Sequence, residues 1–181
     1  MDNIEPINIK KLLSADVAAL QKISRQTFSE TYSAGNTGEN MKKYLNATFA
    51  IPQLTAELND NNSEFYFAQA GENIIGYIKL NKGAAQTELK DRNGLEIERI
   101  YVLKEFQGLK VGQALYEKAL ERAREEAVEY VWLGVWEENP KAMRFYEKNG
   151  FVAFDKHHFK LGDEEQTDIM MKLDLPNPAT E

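Results

Sequence analysis

The chain contains no cysteine. Disulfides, zinc–thiolate sites and a thiol nucleophile are thereby excluded. Its two histidines, His157 and His158, are sequence neighbours on an expected strand. Strand neighbours face opposite ways, so they form no metal pair, and no metal is expected. Long apolar runs are missing too, and nothing approaches the roughly 20 residues of a membrane helix. Residues 1–10 carry Asp2, Glu5 and Pro6 where a signal peptide would have an apolar core. The expectation is a cytoplasmic protein with no membrane partner. Positive charge is in deficit, with 22 Lys and Arg against 29 Asp and Glu, for a net charge of −7. That balance disfavours a nucleic-acid surface, which lives by neutralising phosphates. It suits cationic small molecules, although solubility alone accounts for many acidic proteins.

What is present is an alternation of helical and strand-like segments over 181 residues, enough for one domain with a sizeable core. Residues 1–175 read as that domain and 176–181 as a flexible tail. Ile4, Ile7 and Ile9 suggest a first strand. Val17, Leu20, Ile23 and Phe28 recur at helical spacing within residues 14–32. Two short helices follow at 39–49 and 52–59, the second opened by Pro52. Strand-like residues 65–68 and 74–80 flank Gly71-Glu72-Asn73, a hairpin signal. Residues 83–94 form a polar loop able to move, and 95–103 a strand. An amphipathic helix is expected over 112–129, with Leu115, Ala119, Leu120 and Ala123 inward. A buried strand at 130–136, a short helix at 139–148 and two strands at 151–158 and 167–174 complete an α/β chain.

The informative unit is strand, turn, helix across 95–112. Successive N–H groups in such a turn, backed by the unpaired donors of a helix N-terminus, make a cradle for phosphate oxygens. Gly108 and Gly112 let a ligand approach the backbone. The spacing is neither that of the nucleoside-triphosphate loop nor that of the dinucleotide fingerprint. A second element, Asn139-Pro140 through Ala142, Arg144, Phe145 and Tyr146 to Gly150-Phe151, follows the strand at 130–136.

Together, Gln107-Gly108-Leu109-Lys110-Val111-Gly112 and the segment from Asn139 to Phe151 resemble the two signature motifs of the Gcn5-related N-acetyltransferase (GNAT) superfamily. Lys110 departs from the pattern by standing where the family usually has glycine. The resemblance implies a mixed, mostly antiparallel twisted sheet of about seven strands flanked by helices and splayed between strands four and five. It implies acetyl-CoA as co-substrate and direct transfer of acetyl to a primary amine in a ternary complex. The pyrophosphate would meet residues Gln107, Gly108, Leu109, Lys110, Val111 and Gly112. The pantetheine arm would pair with the backbone of Ile100, Tyr101 and Val102, as an added strand does. Asn139 would hydrogen-bond that arm or serve only as a helix cap. Lys148 would reach a phosphate or remain a surface lysine.

Tyr146 matches the family's general acid, whose proton helps a thiol of pKa about 8.5 to leave. An ammonium of pKa about 10.4 costs roughly 4–5 kcal/mol to neutralise at pH 7, so a base is needed. Glu96 and Glu98 share one strand face, and either could serve. The segments around Glu30, Tyr32 and Glu39 resemble bacterial Pai-type spermidine/spermine N-acetyltransferases, which implies a polyamine held by Glu30, Glu39 or Glu64. A peptide amine as acceptor, a CoA-binding regulator without activity, and a homodimer all stay open at this point.

Overall fold

The computed structural model describes residues 5–176. Seven strands form one sheet in the order β1-β2-β3-β4-β5-β7-β6. They are β1 (Ile7–Lys11), β2 (Ser63–Ala70), β3 (Asn73–Lys82), β4 (Gly94–Val102), β5 (Tyr130–Trp136), β6 (Val152–Leu161) and β7 (Glu164–Asp174). All neighbours pair antiparallel except β4 and β5, which are parallel. The tail expected at 176–181 and the first-strand residue Ile4 lie largely outside the described residues.

The sheet is covered on both faces. On one side pack α1 (Val17–Tyr32), α2 (Gly38–Thr48) and α3 (Ile51–Asn59), whose Leu20, Phe28, Leu45 and Leu54 bury against Phe65, Phe67 and Tyr77. On the other lie α4 (Val111–Glu125) and α5 (Pro140–Lys148), with Leu115, Ala119, Ala123 and Tyr146 against Ile75, Ile78, Ile97 and Leu133. A side chain such as Leu115, fully buried, contributes roughly 1.5–3 kcal/mol by leaving water. Among the described residues no helix is long and apolar enough to cross a membrane.

Two departures from simple patterning shape the middle of the sheet. Parallel pairing of β4 with β5 spans only Gly94–Ile97 against Tyr130–Leu133, after which the strands diverge. From Glu98 onward the edge of β4 facing β5 is therefore unpaired. In addition, β4 carries a bulge: Lys79 of β3 opposes Arg99 and Leu80 opposes Ile97, so Glu98 is the extra residue. The bulge shifts the alternation, so Glu96, Glu98, Arg99 and Tyr101 all reach the face toward α1–α3, while Ile100 and Val102 pack on the α4 side.

Helix α4 stops at Glu125, four residues before the expected end. Ala127 takes a left-handed conformation (φ 55°), its N–H donates to Arg124 O at 3.1 Å, and Val128 N donates to Ala123 O at 3.2 Å. This is a Schellman ending built without its usual glycine. The last two strands run longer than expected and turn tightly at Gly162-Asp163.

Candidate active site

Where β4 and β5 part, two cavities meet. The smaller, about 60 Å³, lies in the splay and is lined by Ile97, Ile100, Val135, Asn139, Ala142 and Tyr146, among others. The larger, about 300 Å³, lies on the side of α1 and α2. Tyr32, Glu98, Tyr101 and Gly134 line both. Gly134 is exposed in a strand whose neighbours are buried, because its missing side chain opens the junction.

The splay leads to the turn before α4. Gly108 has φ 84°, and a Cβ there would meet nothing within 4 Å, so its backbone is open to a ligand. Lys110 takes the left-handed conformation, φ 65° and ψ 18°, as the N-cap of α4. The lysine thus adopts the geometry for which glycine would ordinarily be chosen. Ala114 N is the first helix donor to find a carbonyl one turn back, at Lys110 O, 3.1 Å. The N–H groups of Val111, Gly112 and Gln113 precede it and are the orphan donors of a helix start. Gln107 ties the turn to the strand, its Nε2 donating to Val102 O at 3.3 Å, and Lys141 donates to Gln107 Oε1 at 3.3 Å. Leu109 is half-buried against the core. Open glycine, left-handed turn and helix donors fit a pyrophosphate. The unpaired edge of β4 at Ile100, Tyr101 and Val102 fits an amide-bearing arm lying along it as an extra strand.

Asn139 caps α5, its side-chain oxygen accepting from Ala142 N at 3.2 Å, and it lines the splay. Tyr146 is buried against Phe145 and Phe151 and also lines the splay; burial holds its phenol well above the ordinary value, hence protonated. Lys148 is exposed at the end of α5.

The larger cavity is walled by aromatic rings and carboxylates. Phe28 stacks on Tyr32 (4.3 Å between centroids) and on Tyr44 (4.5 Å). Glu88, Glu96, Glu98 and Asp168 bring carboxyl groups, against the guanidinium of Arg99. Glu98 lies in a buried ion network: its Oε2 is 2.9 Å from Lys79 Nζ and 3.1 Å from Arg99 Nη2, and Glu57 of α3 closes the network by pairing with both cations. Burial works to raise the Glu98 pKa, but Arg99, Lys79 and the Asn81 amide outweigh it and hold the carboxyl below its usual range. Glu96, 3% exposed, accepts from Asn81 Nδ2 at 3.0 Å, from Thr87 N at 2.8 Å and from the Thr87 hydroxyl. Burial prevails there, and its pKa is raised. Those contacts also anchor the loop expected to move: Gln86 accepts from Trp132 Nε1 at 2.7 Å and donates to Asp91 O at 2.7 Å.

Of the acceptor residues read from sequence, Tyr32 lies at the junction of the cavities. Glu30 instead accepts from Lys104 N at 2.7 Å, and Glu39 is exposed on α2. Glu64 pairs with Arg122 of α4, on the opposite face of the sheet. None of these three lines either cavity. Conversely, Arg99, Glu88 and Asp168 escaped sequence reasoning. Arg99 was hidden by the bulge, which no local pattern announces. Asp168 had a usable signal: it sits two residues before the buried Met170, on the same side of β7.

The Acetyltransferase (GNAT) family model matches residues 18–151. The chain belongs to this family. An uncharacterized N-acetyltransferase in the pepI 3′ region of Lactobacillus delbrueckii subsp. lactis is 41% identical over 169 residues, covering 93% of this chain and 98% of the relative. The spermidine N(1)-acetyltransferase of Thermoplasma acidophilum is 25% identical over 170 residues, 92% of this chain and 96% of that protein. In fold, the chain is similar to the crystal structure of the PaiA N-acetyltransferase from Thermoplasma acidophilum in complex with coenzyme A: TM-score 0.77, 24% identity, 94% of this chain and 99% of that one. The protein is therefore an acetyltransferase that takes its acyl group from acetyl-CoA. The seven-stranded mixed sheet parted between β4 and β5 is the fold that the motifs implied.

Proposed function

We propose that the enzyme acetylates a primary amine of a small polycation, a polyamine such as spermidine or spermine, by direct transfer in a ternary complex. The observation that carries this reading is the meeting of the two cavities at Tyr32, Glu98, Tyr101 and Gly134. A donor in the splay and an acceptor in the larger cavity would then touch without a covalent enzyme intermediate. A volume of about 300 Å³ is at the small-molecule end of binding sites. Its aromatic walls suit an alkyl chain and its cationic groups, and its carboxylates outnumber its cations. The similarity to a spermidine N(1)-acetyltransferase points the same way.

Acetyl-CoA supplies a thioester activated for attack by nitrogen. The turn of Gln107, Gly108, Leu109, Lys110, Val111 and Gly112 holds its pyrophosphate through backbone N–H groups. Ile100, Tyr101 and Val102 align the pantetheine arm. Tyr146, kept protonated by burial, donates to the departing sulfur. Glu96 and Glu98 give the acceptor cavity its negative potential; of the two, Glu96 is the more basic. Asn139 shapes the wall of the splay, and Lys148 adds a distant positive charge.

The test is release of free thiol from acetyl-CoA across spermidine, spermine, shorter diamines and peptides with free amines. Turnover is expected with the polyamines, with kcat/KM falling as the chain loses its second charged nitrogen. Turnover confined to peptides would replace the acceptor. Tight acetyl-CoA binding with no release on any amine would mark a regulator instead of an enzyme.

A further inference from the structure

Among the carboxylates of the acceptor cavity, Asp168 stands apart. Glu96 already holds three donors, Glu98 two cations and an amide, and Glu88 faces His157 at 2.7 Å. Asp168 Oδ1 and Glu98 Oε2 are both buried without a hydrogen-bond partner among the described residues, but Glu98 Oε2 lies 2.9 Å from Lys79 Nζ and 3.1 Å from Arg99 Nη2, whereas Asp168 has no such cation beside it among the described residues. The strand registers explain its position. Asp168 lies opposite Trp136 on β5 and His157 on β6, with its side chain against Gly134. A Cβ at Gly134 would lie 3.1 Å from Asp168 Oδ2. The carboxylate therefore rests on the one residue whose absent side chain joins the acceptor cavity to the splay. Tyr32, at the same junction, is close enough to feel both Asp168 and Tyr146.

We infer that Asp168 is the carboxylate that receives the acceptor's reacting ammonium and takes its first proton. The inference rests on the amine-acetylation reading and assigns it a base. An unpartnered buried oxygen is costly unless a ligand satisfies it, and an ammonium is the donor that does so with charge. Glu96 is already occupied by three donors, and Glu98 is held as an anion by two cations that make it a poor base. The proton balance closes with residues already in place. The ammonium loses one proton to Asp168, which passes it to solvent. Its lone pair forms the N–C bond as the C–S bond breaks. The second nitrogen proton replaces the one that Tyr146 gives to sulfur. The environment suits the task, since burial lifts Asp168 to about 6, opposed by nearby His157. Tyr32 from α1 and Tyr44 from α2 face it as neutral phenols, with Glu98, Arg99 and Tyr101 on β4 and Glu88 on the loop sharing the cavity.

The decisive measurement is the pH profile of kcat/KM for spermidine in the wild type and in Asp168→Asn. The wild type should gain activity as pH rises through about 6, where Asp168 ionises. In the variant the amine must arrive already neutral. Its activity should be about 100-fold lower at pH 7, rise about tenfold per pH unit, and approach the wild type near pH 9 to 10. Affinity for coenzyme A should stay unchanged. Equal activity and the same limb near pH 6 in both proteins would overturn the assignment to Asp168. A wild type inactive on every amine would instead overturn the underlying reading. Should Asp168→Asn fail to fold, Gly134→Ala gives a second route. Its added Cβ presses on Asp168 Oδ2, and should lower kcat while keeping the limb near pH 6; an unchanged kcat there counts against the assignment.

Discussion

The two halves of the proposed active site are built from different material. The donor half, from β4 through the turn at 107–112 to α5, works through backbone: orphan N–H groups, an unpaired strand edge, a left-handed turn. The acceptor half works through side chains drawn from α1, α2, the loop at 83–93, β4, β5, β6 and β7. Backbone donors present the same chemistry whatever the side chain, so the donor half tolerates Lys110 in a glycine position. Buried charges have no such tolerance. Each one needs its partner, and the acceptor half should be where single substitutions are most costly.

The largest effect that contrast predicts is in the ion network. Lys79 is 5% exposed and pairs with both Glu57 and Glu98. Lys79→Met leaves two partly buried carboxylates with Arg99 as the one cation of the network, and should cost about 3 kcal/mol or more in denaturant unfolding. A loss below about 1 kcal/mol would show that the acceptor half is no more exacting than the donor half. Tyr146→Phe comes next, and it probes the proton donor proposed on the donor side. It should lower kcat about 10²- to 10³-fold with little change in affinity for coenzyme A. If kcat holds while affinity falls, Tyr146 is a packing residue like its neighbour Phe145.

Asp168→Asn sharpens the contrast from the side of stability. Its folded-state pKa of about 6 lies above the unfolded value near 3.8, so the folded protein binds more protons between those limits. Stability is therefore lost as pH rises from about 4 to 6, and the deficit persists at neutral pH. Removing the charge should stabilise the protein by about 2 kcal/mol at pH 7 and by little at pH 4. Destabilisation at both pH values would make Asp168 an ordinary structural residue.

The same division explains what could be read before the fold was known. The donor half is contiguous in sequence, and its requirements are local: two glycines, a helix start, an Asn-Pro cap. The resemblance those motifs carry implied the mixed sheet of about seven strands and its splay, while the strand order came only with the structure. Even there, Ala127 misled, since a left-handed alanine closing α4 carries no residue signal. In the acceptor half, Glu30, Glu39 and Glu64 follow only from the likeness of the first-half segments to Pai-type polyamine acetyltransferases and from their charge. The fold sends Glu64 to Arg122 across the sheet and Glu30 to the backbone of Lys104. Asp168, 136 positions after Tyr32, becomes its neighbour only through the pairings of β5, β6 and β7. The bulge at Glu98 adds a parity change that period-two reasoning cannot supply. Contacts set by long-range register are not encoded in any one segment.

The smallest effect tests the claim that the donor half depends on backbone geometry. Lys110 has φ 65°, and its side chain is exposed. Lys110→Gly removes a left-handed penalty of about 1 kcal/mol and adds a similar cost in chain entropy, so stability should scarcely move. Coenzyme A affinity should stay within about threefold, since the N–H remains where it was. Lys110→Val places a β-branched side chain at a positive φ, which costs about 1 kcal/mol more or shifts the turn. Affinity should then fall about five- to tenfold, following 1.4 kcal/mol per factor of ten. Titration calorimetry with coenzyme A separates the cases. An equal loss in both variants, shrinking as salt is raised, would assign the contribution to the lysine charge. A loss confined to the valine variant assigns it to the turn, and leaves side-chain identity in this half of the site subordinate to backbone shape.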